Sequence, residues 1–345
     1  MMAQTVSDPI PAPPLVPDDD EEKEEADEDE EEEEEEECPV DPFSHKLALT
    51  QWDWIKVWIG TVVLLPIRAV LLLTACVLSW SVSSMALYGL SEYEKSFRPL
   101  MGWRKVLRDV SGFLGRVTFH LCSFHEVKTK GRRVSPAEAP VLVVAPHTTF
   151  FDGFTVFWSG MPYIVSRTEN RNIPLLGKCI ECVQALFVSR EDPLSRQKTV
   201  QEIIRRSASS DEWSQLLIFP EGSTSNGQAL MSFKPGAFYP GKPVQPVLIR
   251  YPNRLDTVTW TWNQTHGALK IMWLTMSQLF SQAELEFLPV YTPTDEEKAD
   301  PKLFARNVRQ VMAEALGVPT SNMTFEEVKA LYGKKSRRKS RIKKD

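Results

Sequence analysis

Apolar and polar positions divide the chain into stretches with different periods. Residues 69–90, AVLLLTACVLSWSVSSMALYGL, run without a charge, which is long enough for a helix to cross a hydrocarbon core of roughly 30 Å. The apolar stretch before it, 55–67, is short and is interrupted by Pro66 and Arg68. A charge at mid-bilayer is costly. The pattern therefore predicts an N-terminal helical membrane hairpin within 43–100, with a shallow or re-entrant arm at 55–67 and a deeper arm at 69–90. A long buried helix of a soluble core would carry the same run. Cations flank both sides (Lys46, Lys56, Arg68, Lys95, Arg98, Arg104, Lys105), so the positive-inside rule assigns no orientation. Residues 101–134 read as an interfacial amphipathic helix over 103–124 followed by a linker.

From 135 to 318 the period changes. A β-branched run at 140–145 and short apolar runs at 215–219 and 244–251 have the length of buried strands, and 283–290 (AELEFLPV) alternates as a strand does. Between them lie helical patterns. Residues 195–207 place Val200, Ile203 and Ile204 on one face. Residues 301–316 place Leu303, Phe304, Val308, Val311, Met312 and Leu316 likewise and stop at Gly317. Strands alternating with helices predict one α/β domain. No internal repeat is visible.

Charge changes the picture at both ends. Residues 18–37 hold eighteen acidic side chains against Lys23, and 334–345 hold eight Lys/Arg against Asp345. A run of like charges cannot bury a core, so 1–42 is read as a disordered acidic tail and 319–345 as a basic tail. Removing the −17 run, Asp8 and the +7 tail from the whole-chain −6 leaves +5 over 38–333. The acidic balance belongs to one tail. The folded part is mildly basic, which suits phosphate-bearing ligands or an anionic membrane surface. No nucleic acid partner is expected. Five scattered cysteines make no disulfide framework. Cys179 and Cys182 have half of a zinc-site spacing without a second half, so no metal is expected. Residues 1–37 lack the apolar run of a cleavable leader.

Two segments follow strand ends, where open α/β sheets keep their sites. One is 146–152, PHTTFFD. Neutral imidazole at His147 can take a proton from an alcohol at pH 7, and Asp152, five residues on, can hold the ring and stabilise its protonated form. No serine or cysteine sits at a nucleophile elbow, so the pair points to direct attack by an acceptor hydroxyl. The other segment is 219–224, FPEGST. Glu221, Gly222, Ser223 and Thr224 offer a carboxylate, backbone N–H groups and hydroxyls to a polar head. Either segment alone is also what an ordinary loop and turn look like.

Together they resemble a family. His147 and Asp152 match the H-x4-D first motif of the glycerolipid acyltransferases, the PlsC-like 1-acylglycerol-3-phosphate O-acyltransferase family. FPEG at 219–222 matches the third motif. VQALFVSR at 183–190, ending in Arg190, looks like the second, and VQPV at 244–247 is similar to the fourth. SRTEN at 166–170, FKPGAF at 233–238 and PVQPVLIRYPNRLDTVTWTW at 243–262 look like the lysophosphatidylcholine/lysophosphatidylethanolamine acyltransferase branch. The resemblance implies a membrane-anchored acyltransferase domain with a central mixed sheet flanked by helices. It implies catalysis by His147 and Asp152, an acceptor placed by Glu221 and Gly222, and phosphate contacts from Arg190 and Lys234. Acyl-CoA is a co-substrate, a lysophospholipid is the acceptor, and no cofactor is required.

Two departures bear on the acceptor. Gln184 stands where a Gly commonly starts the second motif. Ser223 and Thr224 stand where an Arg often follows the third. In the family that arginine is associated with the phosphate of lysophosphatidic acid. Its replacement fits a diester head group, with lysophosphatidic acid the alternative acceptor and a membrane scaffold the non-enzyme alternative. No EF-hand loop follows residue 318, so no calcium site is expected. Trp260, Trp262, Trp273 and Phe280 could line an acyl groove, lie at an interface or fill a core. The resemblance and the apolar segment imply an endoplasmic reticulum membrane address.

Overall fold

The computed structural model describes residues 41–189, 192–209, 212–261 and 267–322. The acidic run, Arg190, Trp262 and the basic tail lie outside these residues.

The chain enters a single helix, α1 (Gln51–Leu87), closed at its start by a reciprocal capping box between Thr50 and Asp53. It is long and apolar enough to cross a membrane. The predicted break into two arms does not occur, since the helix continues through Pro66 and Arg68. The reason is that Arg68 is not offered to lipid. Its guanidinium donates to the carbonyls of Met276 and Gln278 at 2.6 Å each, and to that of Leu279 at 3.3 Å. Met276 is the last residue of a later helix, α7 (Ala268–Met276), and Gln278 and Leu279 follow its C-cap, so the cation meets the negative end of the helix dipole.

The antiparallel partner of α1 is instead α3 (Gly102–Leu121), reached through the short α2 (Glu92–Phe97). Ser111 of α3 meets both Ser79 at 3.1 Å and Ser83 at 2.9 Å. Small residues at this seam let the two helices approach closely. Outside the seam α1 shows Trp58, Val62, Val63, Ile67, Val70 and Leu73 to the exterior, an apolar face of the kind a bilayer covers.

The predicted linker also contains a strand. β1 (Phe124–Lys130) pairs in parallel with β7 (Ser281–Phe287), so the α/β domain starts before residue 135. Its alternating Lys and Glu conceal a strand that is half solvated. Around β1 and β7 the sheet is built from β2 (Val141–Ala145), β3 (Tyr163–Arg167), β4 (Leu186–Val188), β5 (Leu216–Ile218) and β6 (Val244–Arg250). The order is β1-β7-β6-β2-β5-β3-β4, and only the β6–β7 pair is antiparallel. The sheet is thus mixed, as expected.

Successive residues of a strand face opposite sides, and β2 shows it. Leu142 and Val144 pack with Phe119, Phe154 and Ile271 on one face. Val141, Val143 and Ala145 pack with Ile203, Phe304 and Val308 on the other. The first face carries α3, α4 (Phe154–Trp158) and α7. The second carries α6 (Pro193–Ala208) and, after the short α8 (Asp295–Ala299), α9 (Pro301–Leu316), which Gly317 ends in the left-handed conformation. Cys179 and Cys182 sit on α5 (Leu176–Cys182), packed as ordinary helix residues.

Candidate active site

Strand order gathers the chemistry. β2 lies between β5 and β6, and all three run parallel. The segments leaving their C-terminal ends therefore converge. After β2 comes His147, after β5 the 219–224 turn, and after β6 Tyr251.

The 147–152 loop is wound tightly by its own polar groups. A 3-10 turn (Phe150–Gly153) is capped by Thr149, whose side chain accepts from Phe151 N while Asp152 accepts from Thr149 N. This returns Asp152 to the start of the loop. Its Oδ2 stands 2.8 Å from His147 Nδ1 and accepts from Thr148 N at 2.7 Å and Thr149 N at 3.0 Å. Its Oδ1 accepts from the Tyr251 hydroxyl at 2.6 Å. Asp152 is fully buried, whereas the His147 side chain is partly exposed. Surrounded by donors, the carboxylate can only accept, so His147 carries its proton on Nδ1 and presents Nε2 as the free base. The imidazole also stacks on Phe219, with ring centroids 4.3 Å apart, which holds its plane.

Glu221 is placed differently from the expectation. It is 2% exposed, and its Oε1 accepts from His147 N at 2.7 Å while Oε2 reaches Met231 N at 3.4 Å. Both oxygens face the protein backbone, so the side chain braces the histidine loop from behind. It does not reach toward an acceptor. Burial pushes its carboxyl up to about 7, against the lowering effect of the His147 N–H and ring. Gly222 follows at φ +67°, a left-handed turn that favours glycine. A Cβ there would also press on the aliphatic stem of Lys234. Lys234 N donates to Pro220 O at 2.8 Å, which places Lys234 beside the turn. Ser223 is buried and Thr224 half-buried on the same turn. Arg190 lies outside the described residues.

Tyr251 and Phe219 are the site residues that sequence reasoning missed. Tyr251 is the first residue past a central parallel strand, and that position was its one signal. Burial and the adjoining Asp152 carboxylate both push its phenol up, so it remains a hydrogen-bond donor. Among the aromatic candidates, Trp273 donates to Thr61 Oγ1 at 2.9 Å and packs on Trp54 and Trp58 of α1. Trp260 stands edge-on to Phe150 beside the histidine loop, and Phe280 is exposed.

A base held by a buried carboxylate, at a converging set of strand ends, is what acyl transfer to an alcohol requires. Residues 126–250 match the family model described as acyltransferase. A Drosophila melanogaster protein called lysophosphatidylcholine acyltransferase is 47% identical over 290 residues, covering 84% of this chain and 54% of that one. Human lysophosphatidylcholine acyltransferase 2 is 46% identical over 292 residues, covering 84% and 53%. The chain spans about half the length of these relatives. Among solved structures, the 1-acyl-sn-glycerophosphate acyltransferase PlsC of Thermotoga maritima matches with a TM-score of 0.40 at 19% identity, over 71% of this chain and 98% of that one.

Proposed function

The chain belongs to the PlsC-like acyltransferase family, in its lysophosphatidylcholine acyltransferase branch, and we propose on that footing that it transfers the acyl group of acyl-CoA to the free glycerol hydroxyl of lysophosphatidylcholine or lysophosphatidylethanolamine. The observation that carries the reading is the His147–Asp152 pair, with Nδ1 on the buried carboxylate at 2.8 Å and the imidazole side chain partly exposed.

The step balances without a metal or a covalent enzyme intermediate. His147 Nε2 accepts the proton of the acceptor hydroxyl while that oxygen bonds to the thioester carbonyl carbon. The C–S bond then breaks, CoA leaves as thiolate, and the imidazolium returns the proton. Asp152 stabilises the imidazolium, Tyr251 and the two backbone N–H groups hold Asp152, and Glu221 holds the histidine loop. Gly222, Ser223, Thr224, Lys234 and Arg190 are assigned to the polar head and phosphates of the two substrates. Helix α1 supports membrane association, and we place the protein at the endoplasmic reticulum membrane.

A head-group panel tests the acceptor. Purified full-length protein is given oleoyl-CoA with lysophosphatidylcholine, lysophosphatidylethanolamine, lysophosphatidylserine or lysophosphatidic acid. The first two are expected to give the highest kcat/KM. Preference for lysophosphatidic acid would move the reaction to the phosphomonoester and contradict the reading of Ser223 and Thr224.

A further inference from the structure

A cavity of about 1160 Å³ opens at the other end of the sheet from His147. Its inner wall is made by residues that precede strands: Ser135 before β2, Ser159 and Gly160 before β3, and Gln215 before β5. His147, Phe219 and Tyr251 follow strands instead, so the parallel strands separate the two places. The outer wall is α3, which contributes Lys105, Arg108, Gly112 and Arg116 at helical spacing from one face.

The lining is cationic. Arg98, Lys105, Arg108, Arg116 and Arg133 stand against two carboxylates, Asp109 and Glu212. Two of the cations are aimed by the backbone: Arg116 donates to Phe157 O at 3.0 and 2.8 Å, and Arg133 donates to Ser159 O. Gly160, at φ +72°, lacks the Cβ that would collide with the Arg133 guanidinium.

Three buried polar atoms on this lining have no hydrogen-bond partner: Arg108 Nε, Ser159 Oγ and Gln215 Oε1. Their residues are 7%, 0% and 2% exposed. Arg108 Nε does stand 3.9 Å from Asp109 Oδ1, an ion pair beyond hydrogen-bond reach. Folded chains rarely leave such groups unmet. Two of them can donate to an anion's oxygens. The third is an acceptor, because Gln215 Nε2 is already committed to Ala139 O at 2.7 Å. A ligand that satisfied all three would bring anionic oxygens together with a hydroxyl or ammonium donor. Burial already lowers the pKa of Arg108, with Asp109 offsetting it, and a bound anion would favour its charged form. Beside the cavity, α3 exposes Trp103, Val106 and Phe113, and Phe113 is itself part of the lining. The mouth therefore adjoins an apolar surface.

We propose that this cavity is a second, non-catalytic site for the phosphate head group of an anionic phospholipid that also carries a hydroxyl or ammonium donor, with its acyl chains laid along the apolar face of α3. Phosphate oxygens take Arg108, Ser159 and the rim cations. The ligand's donor takes Gln215 Oε1.

The test uses the purified full chain, with retained lipid counted by native mass spectrometry. Dioleoylphosphatidylglycerol and dioleoylphosphatidylcholine are compared at equal concentration, with glycerol 3-phosphate as a soluble competitor. Phosphatidylglycerol is expected to be retained preferentially. Retention is expected to fall about tenfold or more in the exposed double variant Lys105→Gln/Arg116→Gln, which removes two cations at a membrane surface. It is expected to be unchanged in His147→Ala. Displacement by glycerol 3-phosphate would keep the site and assign it to soluble phosphate esters. Equal retention of phosphatidylcholine, or no effect of the double variant, would overturn the proposal. So would loss of retention in His147→Ala, which would put the lipid in the catalytic site.

Discussion

Replacing His147 by alanine is expected to lower kcat by about 10²–10⁴-fold, the range that a positioned general base contributes, with little change in KM for either substrate. On the proposed mechanism the ring takes the reacting proton, and the two neighbouring carboxylates are not placed to replace it. Glu221 is buried behind the loop with both oxygens on backbone N–H groups. Asp152 is buried and faces donors on every side. The loop itself should survive, because its fixed points are the backbone bonds of His147, Thr148 and Thr149. The measurement is steady-state kinetics on a variant with the wild-type Tm. A variant that retained wild-type kcat would remove the histidine from the mechanism.

Asp152→Ala is expected to cost about 10³–10⁴-fold in kcat, the scale on which losing the carboxylate partner of a catalytic histidine acts, and to lower Tm as well. Asp152 Oδ2 receives two backbone N–H groups besides the imidazole. Alanine leaves both donors buried and unmet, at about 1–3 kcal/mol for each such group. Asparagine separates the two effects. With three donors gathered at the Oδ2 position, its carbonyl oxygen settles there and its NH₂ faces the Tyr251 hydroxyl, which can turn to accept. The histidine keeps its tautomer and loses only the negative charge. Asp152→Asn is therefore expected to keep Tm near wild type and to fall between wild type and alanine in kcat. Equal kcat for the two variants would show that charge, not geometry, is what Asp152 supplies, and wild-type kcat in asparagine would show the reverse.

The sequence marks the centre of this site plainly because its chemistry is local. His147 and Asp152 are five residues apart, and one capped turn joins them. The strands beneath them are short apolar runs, and α9 begins and ends where its pattern and Gly317 say. What was hidden depended on distant partners. Arg68 looks too costly for a membrane-spanning helix until the end of α7 supplies carbonyls for its guanidinium. β1 reads as a polar linker because four of its seven residues are exposed and its pairing partner lies about 150 residues away in the chain. Tyr251 joins Asp152 only through the pairing of β6 with β2. Glu221 could be recognised as important, but whether it faces substrate or backbone is set by the loop folded over it.

On the proposed mechanism the acyl group passes directly from thioester to lysolipid hydroxyl, with His147 as base, and never rests on the protein. The most direct measurement follows a labelled acyl group. Purified full-length protein is mixed with isotopically labelled oleoyl-CoA, first alone and then with lysophosphatidylcholine, and the label is read by mass in both protein and lipid. Direct transfer predicts no label bound to the protein before the acceptor arrives, and labelled phosphatidylcholine matching the CoA released afterwards. Label that first accumulates on the protein and then moves to lipid would contradict it, as would CoA release with no phosphatidylcholine formed.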